Sequence, residues 1–288
     1  MTGRCGFRIL QRMVFVVGAV AIDLVAVREK FLEGTSNPSD IRLGLGGVGY
    51  RIFSNLEVPA KFVTALGSDP ISRWAREVLE ADGRVAIQRV REKDARPPLY
   101  LALMESGSLK VGASDFRIIE QSLSVSFVQE QIGEPGPLDF LVLDANLSPA
   151  TLAVLAAKYA RVTRLIFEPV SVEKAARHAD SLRDFFLLTP TQKELDTLAG
   201  GDIREYRRDR RIANLLVTRG REGARLYDDD GEADFSPTLV VEAADTTGAG
   251  DLLLASLISR LHAGEPMRKA VRAAMEGVEQ KLRAGGPL

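Results

Sequence analysis

Cysteine and histidine are nearly missing from this chain: 288 residues carry one Cys and two His. Cys5 by itself excludes an intrachain disulfide framework and a Cys-based zinc site, and a lone cysteine suits a reducing cytoplasm. Its place near the terminus argues against a catalytic part. His178 and His262 stand far apart without metal-ligand spacing, so both are expected to be packed or solvated. An excess of charge is also missing. Lys and Arg number 38 against 39 Asp and Glu, a formal net charge of -1, which leaves no field to recruit nucleic acid or an anionic membrane and favours a small-molecule partner. No apolar run approaches the roughly 20 residues needed to cross a bilayer. The run that follows Arg12 meets Asp23 too soon and is expected to be a buried strand, not a signal peptide. Residues 1–12 are expected to form an N-terminal extension, because Met13 directly precedes that strand.

What is present is a core. Hydrophobic residues make up 45% of the chain, enough for one substantial domain. Val14-Phe15-Val16-Val17, ended by Gly18, has the continuous β-branched and aromatic character of a strand buried on both faces. Comparable runs fall at 61–65, 140–144, 164–167, 185–188 and 214–218, with helix-period segments at 71–81, 148–159, 172–178 and 192–199. This alternation predicts an α/β fold, a mostly parallel sheet covered on both faces. Two stretches, 26–45 and 85–115, carry short alternating segments instead, and are expected either to form a small β-flap or to be surface hairpins without a role. The arginine-rich run 204–211 has the pattern of a solvated helix face.

The most informative string is Asp245-Thr246-Thr247-Gly248-Ala249-Gly250-Asp251, followed at once by the apolar helix 252–261. A glycine-rich turn that opens a helix leaves backbone N–H groups without intrahelical partners at the positive end of the helix dipole. That is an anion site. Gly248 and Gly250 permit close backbone approach, and Ala249 limits bulk between them. Asp251, in the first turn, is placed to take a proton from an alcohol in line with a phosphate held beside it, and the dipole is expected to keep it ionised at neutral pH. The competing reading is a glycine turn and an N-terminal aspartate of purely structural purpose.

That string, with the apolar helix behind it, resembles the C-terminal signature of the ribokinase (PfkB) family of carbohydrate kinases. Val16-Val17-Gly18 with Asp23 is similar to the family's first strand, whose aspartate binds sugar hydroxyls. Gly46-Gly47 resembles its N-terminal di-glycine motif, Thr189-Pro190-Thr191 with Glu194 the motif that organises magnesium, and Val217-Thr218-Arg219-Gly220 with Gly223 the ATP-contacting strand and loop. Within the family, the strings around Asp144-Ala145-Asn146, Glu168-Pro169-Val170 and Lys110-Val111-Gly112 look most like the pseudouridine kinases.

The resemblance implies a three-layer ribokinase-like sandwich, one kinase domain over 13–288, with a small β-lid drawn from about 26–45 and 85–115. It also implies ATP as co-substrate with Mg2+, and a nucleoside or sugar acceptor, pseudouridine first. Acceptor contacts would come from Asp23, Gly46, Gly47, Arg51 and Asn146; nucleotide contacts from Thr218, Gly220, Gly223 and Thr191; the metal from Glu194; and the chemistry from Asp251 with the Gly248-Ala249-Gly250 turn. A carboxylate at a strand end, as Asp23 would be, can accept from two vicinal hydroxyls. Glu194 equally fits an ordinary capping box with Thr191.

Two positions depart from the family pattern. Arg51 stands where the family has asparagine, four residues after the second glycine, and Thr191 stands where it has asparagine again. Arginine offers only donors, so it cannot reproduce an amide's two roles. Rival readings are therefore a kinase for another sugar, nucleoside or sugar phosphate, and a non-catalytic descendant that binds a nucleoside or sugar. Pairing of the flap between two subunits would give a homodimer.

Overall fold

The structure, a computed structural model, describes residues 12–91, 95–237 and 248–284. The extension apart from Arg12, and Asp245, Thr246 and Thr247 of the glycine turn, lie outside the described residues.

In chain order the strands are β1 Val14–Val17, β2 Ala21–Arg28, β3 Asp40–Gly46, β4 Ala60–Leu66, β5 Val85–Arg89, β6 Leu99–Glu105, β7 Ser108–Asp115, β8 Phe140–Asp144, β9 Arg164–Glu168, β10 Leu187–Leu188, β11 Asn214–Thr218, β12 Ala224–Asp228 and β13 Gly231–Phe235. The helices are α1 Val48–Ser54, α2 Pro70–Glu80, α3 Arg117–Ser122, α4 Val125–Ile132, α5 Pro149–Tyr159, α6 Val172–His178, α7 Gln192–Ala199, α8 Ile203–Arg210, α9 Ala249–His262 and α10 Met267–Ala284.

Among the described residues the large sheet has nine strands in the order β13-β12-β11-β10-β9-β8-β1-β4-β5. From β11 to β5 every pairing is parallel, and β12 and β13 add an antiparallel edge. The period-two alternation of a strand divides the core in two. Phe15, Val17, Leu141 and Leu143 join the cluster under α3 to α8, while Val14, Val16, Phe140 and Val142 join the cluster under α1, α2, α9 and α10. This is the expected three-layer α/β sandwich. Helix starts are fixed locally: Asp69 Oδ1 accepts from the amides of Ile71 and Ser72 ahead of Pro70, and Ser148 caps α5 ahead of Pro149.

Chain direction matters for the site. From β1 the chain runs to β4 and β5 on one side, then returns to β8 on the other side and continues outward. The strand order therefore reverses between β1 and β8, and a crevice opens outside the carboxyl ends of strands at such a switch point.

The second sheet has the order β3-β2-β6-β7, with β2 and β6 parallel and the outer pairs antiparallel. It differs from the expected flap at both limits. Val85–Arg89 belongs to the large sheet, where it pairs with β4, and the small sheet begins at Ala21, so that Asp23 is already part of it. The strand expected at 185–188 is shorter: Phe185 is buried without joining the ladder, and β10 starts at Leu187.

Candidate active site

The switch point is built by backbone pressed on carboxylates. Asp144, the last residue of β8, is fully buried; its Oδ2 accepts from the amide of Ala19 at 2.8 Å and its Oδ1 from the amide of Asn146 at 2.9 Å. A Cβ at Gly18 would lie 2.2 Å from Asp144 Oδ2, so only glycine lets β1 end against that carboxyl. Gly46 stands in the same relation to Asp23, with a would-be Cβ 2.0 Å from Asp23 Oδ2. Gly47 is the N-cap of α1 at φ +87°, a backbone conformation that favours glycine, and lies against the backbone of Ala19 to Ala21.

Asp23 is 7% exposed. Arg51 Nη2, from α1, donates to its Oδ2 at 2.9 Å, while Oδ1 is buried without a hydrogen-bond partner. Burial pushes the Asp23 carboxyl upward, and the Arg51 guanidinium holds it back. Asn146, expected to face an acceptor, is 4% exposed, and its Oδ1 accepts from the ammonium of Lys174. That ammonium also lies 4.4 Å from the centre of the Phe116 ring.

Toward α9 a cavity of about 120 Å³ is lined by Asp251, Gly250, Thr191, Glu194, Thr218, Thr189 and Glu168, with Val48 and Leu253 among its apolar walls. It gathers side chains from the ends of β9 and β11 and from the first turns of α7 and α9. Gly248 is the N-cap of α9 at φ +88°, and Ala249, Gly250 and Asp251 form the first turn. Thr191 and Glu194 make the full capping box: Thr191 Oγ1 accepts from the Glu194 amide, and Glu194 Oε2 accepts from the Thr191 amide at 2.7 Å. Thr218 bridges Thr191 at the end of β11. Gly220 and Gly223 lie beyond, on the β11–β12 turn and outside this cavity. Gly223, at φ +91°, is required by packing, since a Cβ there would lie 2.0 Å from the Phe235 carbonyl oxygen.

The electrostatics correct one expectation. Asp251 is not held ionised by the helix dipole: burial, with the Asp144 carboxyl adding to it, raises Asp251 to about 7 against the opposing charge of Arg51. Desolvation at the cavity floor outweighs the half-charge of one helix end. A carboxyl in that range is suited to exchange a proton at neutral pH.

Glu168, which motif reasoning left without a role, is raised well above its usual range by burial and by the Asp251 and Glu194 carboxylates, while Thr189 Oγ1, donating to Oε2 at 2.6 Å, lowers it. Its signal was present: like Asp144 it is the last residue of a central strand, where ligands of open sheets bind. Among the described residues no three His, Cys, Asp or Glu side chains form a metal cage. Glu168 and Glu194 instead suit an ion that keeps its waters and shares phosphate oxygens, the habit of magnesium.

A three-layer α/β sandwich with a small sheet at the switch point and a glycine turn opening α9 is the architecture of ribokinase-like kinases. The pfkB family carbohydrate kinase profile matches residues 11–276, and the chain belongs to that family, whose members are phosphotransferases acting on hydroxyl groups. It is 26% identical over 279 residues to the pseudouridine kinase of Escherichia coli K12, an alignment covering 91% of this chain and 87% of the relative. Among solved structures, a carbohydrate kinase from Agrobacterium tumefaciens superposes with a TM-score of 0.77 at 26% identity, covering 94% of this chain and 91% of that one. A ribokinase from Thermotoga maritima gives 0.78 at 20% identity over 93% and 91%.

Proposed function

We propose that this protein transfers the γ-phosphoryl group of ATP to a hydroxyl of a nucleoside or sugar, with the 5′-hydroxyl of pseudouridine as the first acceptor to test. The observation that carries the reading is Asp251: a proton acceptor raised to about 7 in the first turn of a glycine-opened helix, lining one cavity with Glu194, Glu168 and Thr218. The pseudouridine kinase of E. coli, similar over most of both chains, supplies the acceptor.

Asp251 takes the proton of the acceptor hydroxyl as its oxygen attacks the γ-phosphorus and the bond to the β-phosphate oxygen breaks toward ADP. The N–H groups of Ala249, Gly250 and Asp251 stabilise the charge that develops on the phosphoryl oxygens. Asp23 holds acceptor hydroxyls over the bare backbone of Gly46 and Gly47. Thr191, Thr218, Gly220 and Gly223 lie along the nucleotide. Magnesium, held beside Glu194 through water, would neutralise the phosphates. An ATP-consuming reaction and a single cysteine suit the cytoplasm.

The test is ADP release from ATP and magnesium with pseudouridine, uridine, adenosine, ribose, fructose and fructose 6-phosphate, alongside Asp251→Asn. Turnover of pseudouridine in preference to the rest, lost in the variant, is the expected result. Preferential turnover of a simple sugar sinks the acceptor, and no turnover despite thermal stabilisation by a ligand sinks the kinase.

A homodimer through the small sheet also belongs to this reading. Leu43, Leu101 and Ala113 share one row across it, and Ile41, Leu103 and Val111 the next, on the face away from Asp23. Ile41, Leu43, Leu101 and Val111 are 67%, 56%, 44% and 51% exposed. A second copy placed two-fold against this face would cover it with the same apolar rows. Light scattering after size exclusion should give a dimer that Leu43→Lys dissociates; a monomeric wild-type chain overturns the assembly.

A further inference from the structure

Arg51 occupies the place where the family pattern has an amide, and its position is unusual for a cation. Its side chain is 22% exposed, and the Asp23 side chain it meets is 10% exposed. It is also the positive group that opposes the rise of Asp251. Arg51 thus meets the acceptor-side carboxylate from α1, the helix whose Val48 lines the cavity that holds the candidate base. A buried pair of this kind gains little stability once desolvation is counted, so stability alone gives no reason for an arginine here. The pair also leaves work undone: Oδ1 of Asp23 is sealed from solvent and accepts nothing, and one of five guanidinium donors is used on Oδ2.

Resting on the kinase reading above, we infer that Arg51 is a catalytic residue held in reserve: paired with Asp23 while the acceptor site is empty, and turned onto the transferring phosphoryl group when acceptor hydroxyls take over Asp23. An acceptor hydroxyl donating to Oδ2 of Asp23 replaces the guanidinium as its partner. The released fork then faces the α9 end, where the phosphoryl group in flight spreads negative charge over three equatorial oxygens. A planar guanidinium matches that array better than an ammonium does. Pairing in the empty site withholds this charge from ATP until an acceptor is present, and so suppresses transfer to water.

The inference separates kcat from KM. In Arg51→Asn, the residue of the family pattern, kcat should fall ~10²–10³-fold, the range of a lost transition-state donor or cation, with little change in acceptor KM. Arg51→Lys should recover part of that loss, and guanidinium ion added to Arg51→Ala should restore turnover. In Asp23→Asn, acceptor-free ADP release should rise above the wild-type rate. Unimpaired kcat in Arg51→Asn, or a loss confined to KM, overturns the catalytic role; unchanged acceptor-free release in Asp23→Asn overturns the reserve. If the wild-type chain turns over none of the six acceptors, the kinase reading fails and this inference with it, whereas an active wild-type enzyme with an equally active Arg51→Asn fails the inference alone.

Discussion

At the small-sheet end of the site Asp23 faces Arg51, whereas at the α9 end Asp251, Glu168 and Glu194 share a cavity with one another. Both ends bury carboxylates, and burial raises Asp23, Asp251 and Glu168 alike. The difference lies in who supplies the compensating charge. At the small sheet the protein supplies it, so that end is balanced and suited to neutral hydroxyls. At α9 the Asp251 and Glu194 carboxylates add to the burial that raises Glu168, so that end is balanced only when protons or a cation enter.

The largest expected effect attacks the α9 end directly. Asp251→Asn keeps the shape and removes the proton acceptor, and should lower kcat by ~10²–10⁴-fold without destabilising the fold; an activity within a few fold of wild type would mean the two ends do not differ in chemistry. Next is pH. The base works ionised, so activity should fall about tenfold per pH unit below about 7, the value to which Asp251 is raised. A rate profile flat down to pH 5 would show that ligands, or a neighbouring cation, have already lowered Asp251.

The opposite end is broken by bulk. Gly47→Ala puts a Cβ 2.7 Å from the Ala21 amide nitrogen at φ +87°, and should cost about 1–3 kcal/mol in urea unfolding. The smallest effect is one of sign. Asp251 binds its proton more tightly folded than unfolded, so its contribution to stability is complete below its ordinary value of 3.8 and is lost as pH rises through about 7. At pH 8 Asp251→Asn should therefore be more stable than wild type, by roughly 1–2 kcal/mol. Equal stability at pH 8 would show the α9 carboxyl to be better solvated than its burial implies.

Much of the fold was legible because period and punctuation are local. Val14–Val17 could be nothing but a doubly covered strand, and the helix-period segments at 71–81 and 148–159 became α2 and α5, whose starts Asp69 and Ser148 cap. The boundary of the small sheet was less legible. Val85–Arg89 alternates like a flap strand, and only its pairing with β4 assigns it to the large sheet. At the site, the glycine turn and Asp251 announced themselves as a string, and Thr191 with Glu194 as a capping box. Glu168 and Asp144 did not, since a single carboxylate after an apolar run acquires meaning from the strands on either side of it.

The sequence by itself determined the α/β class and the helix opened by Gly248 to Asp251, because each follows from residues in contact along the chain. Tertiary structure alone decided which charges meet: that Arg51 reaches Asp23, that Asp144 adds to the burial of Asp251, and that Glu168 joins Glu194 across β9 and α7. Proton affinity depends on the distance to charges remote in sequence and on the water that packing removes, and neither quantity exists until the sheet has reversed its order between β1 and β8.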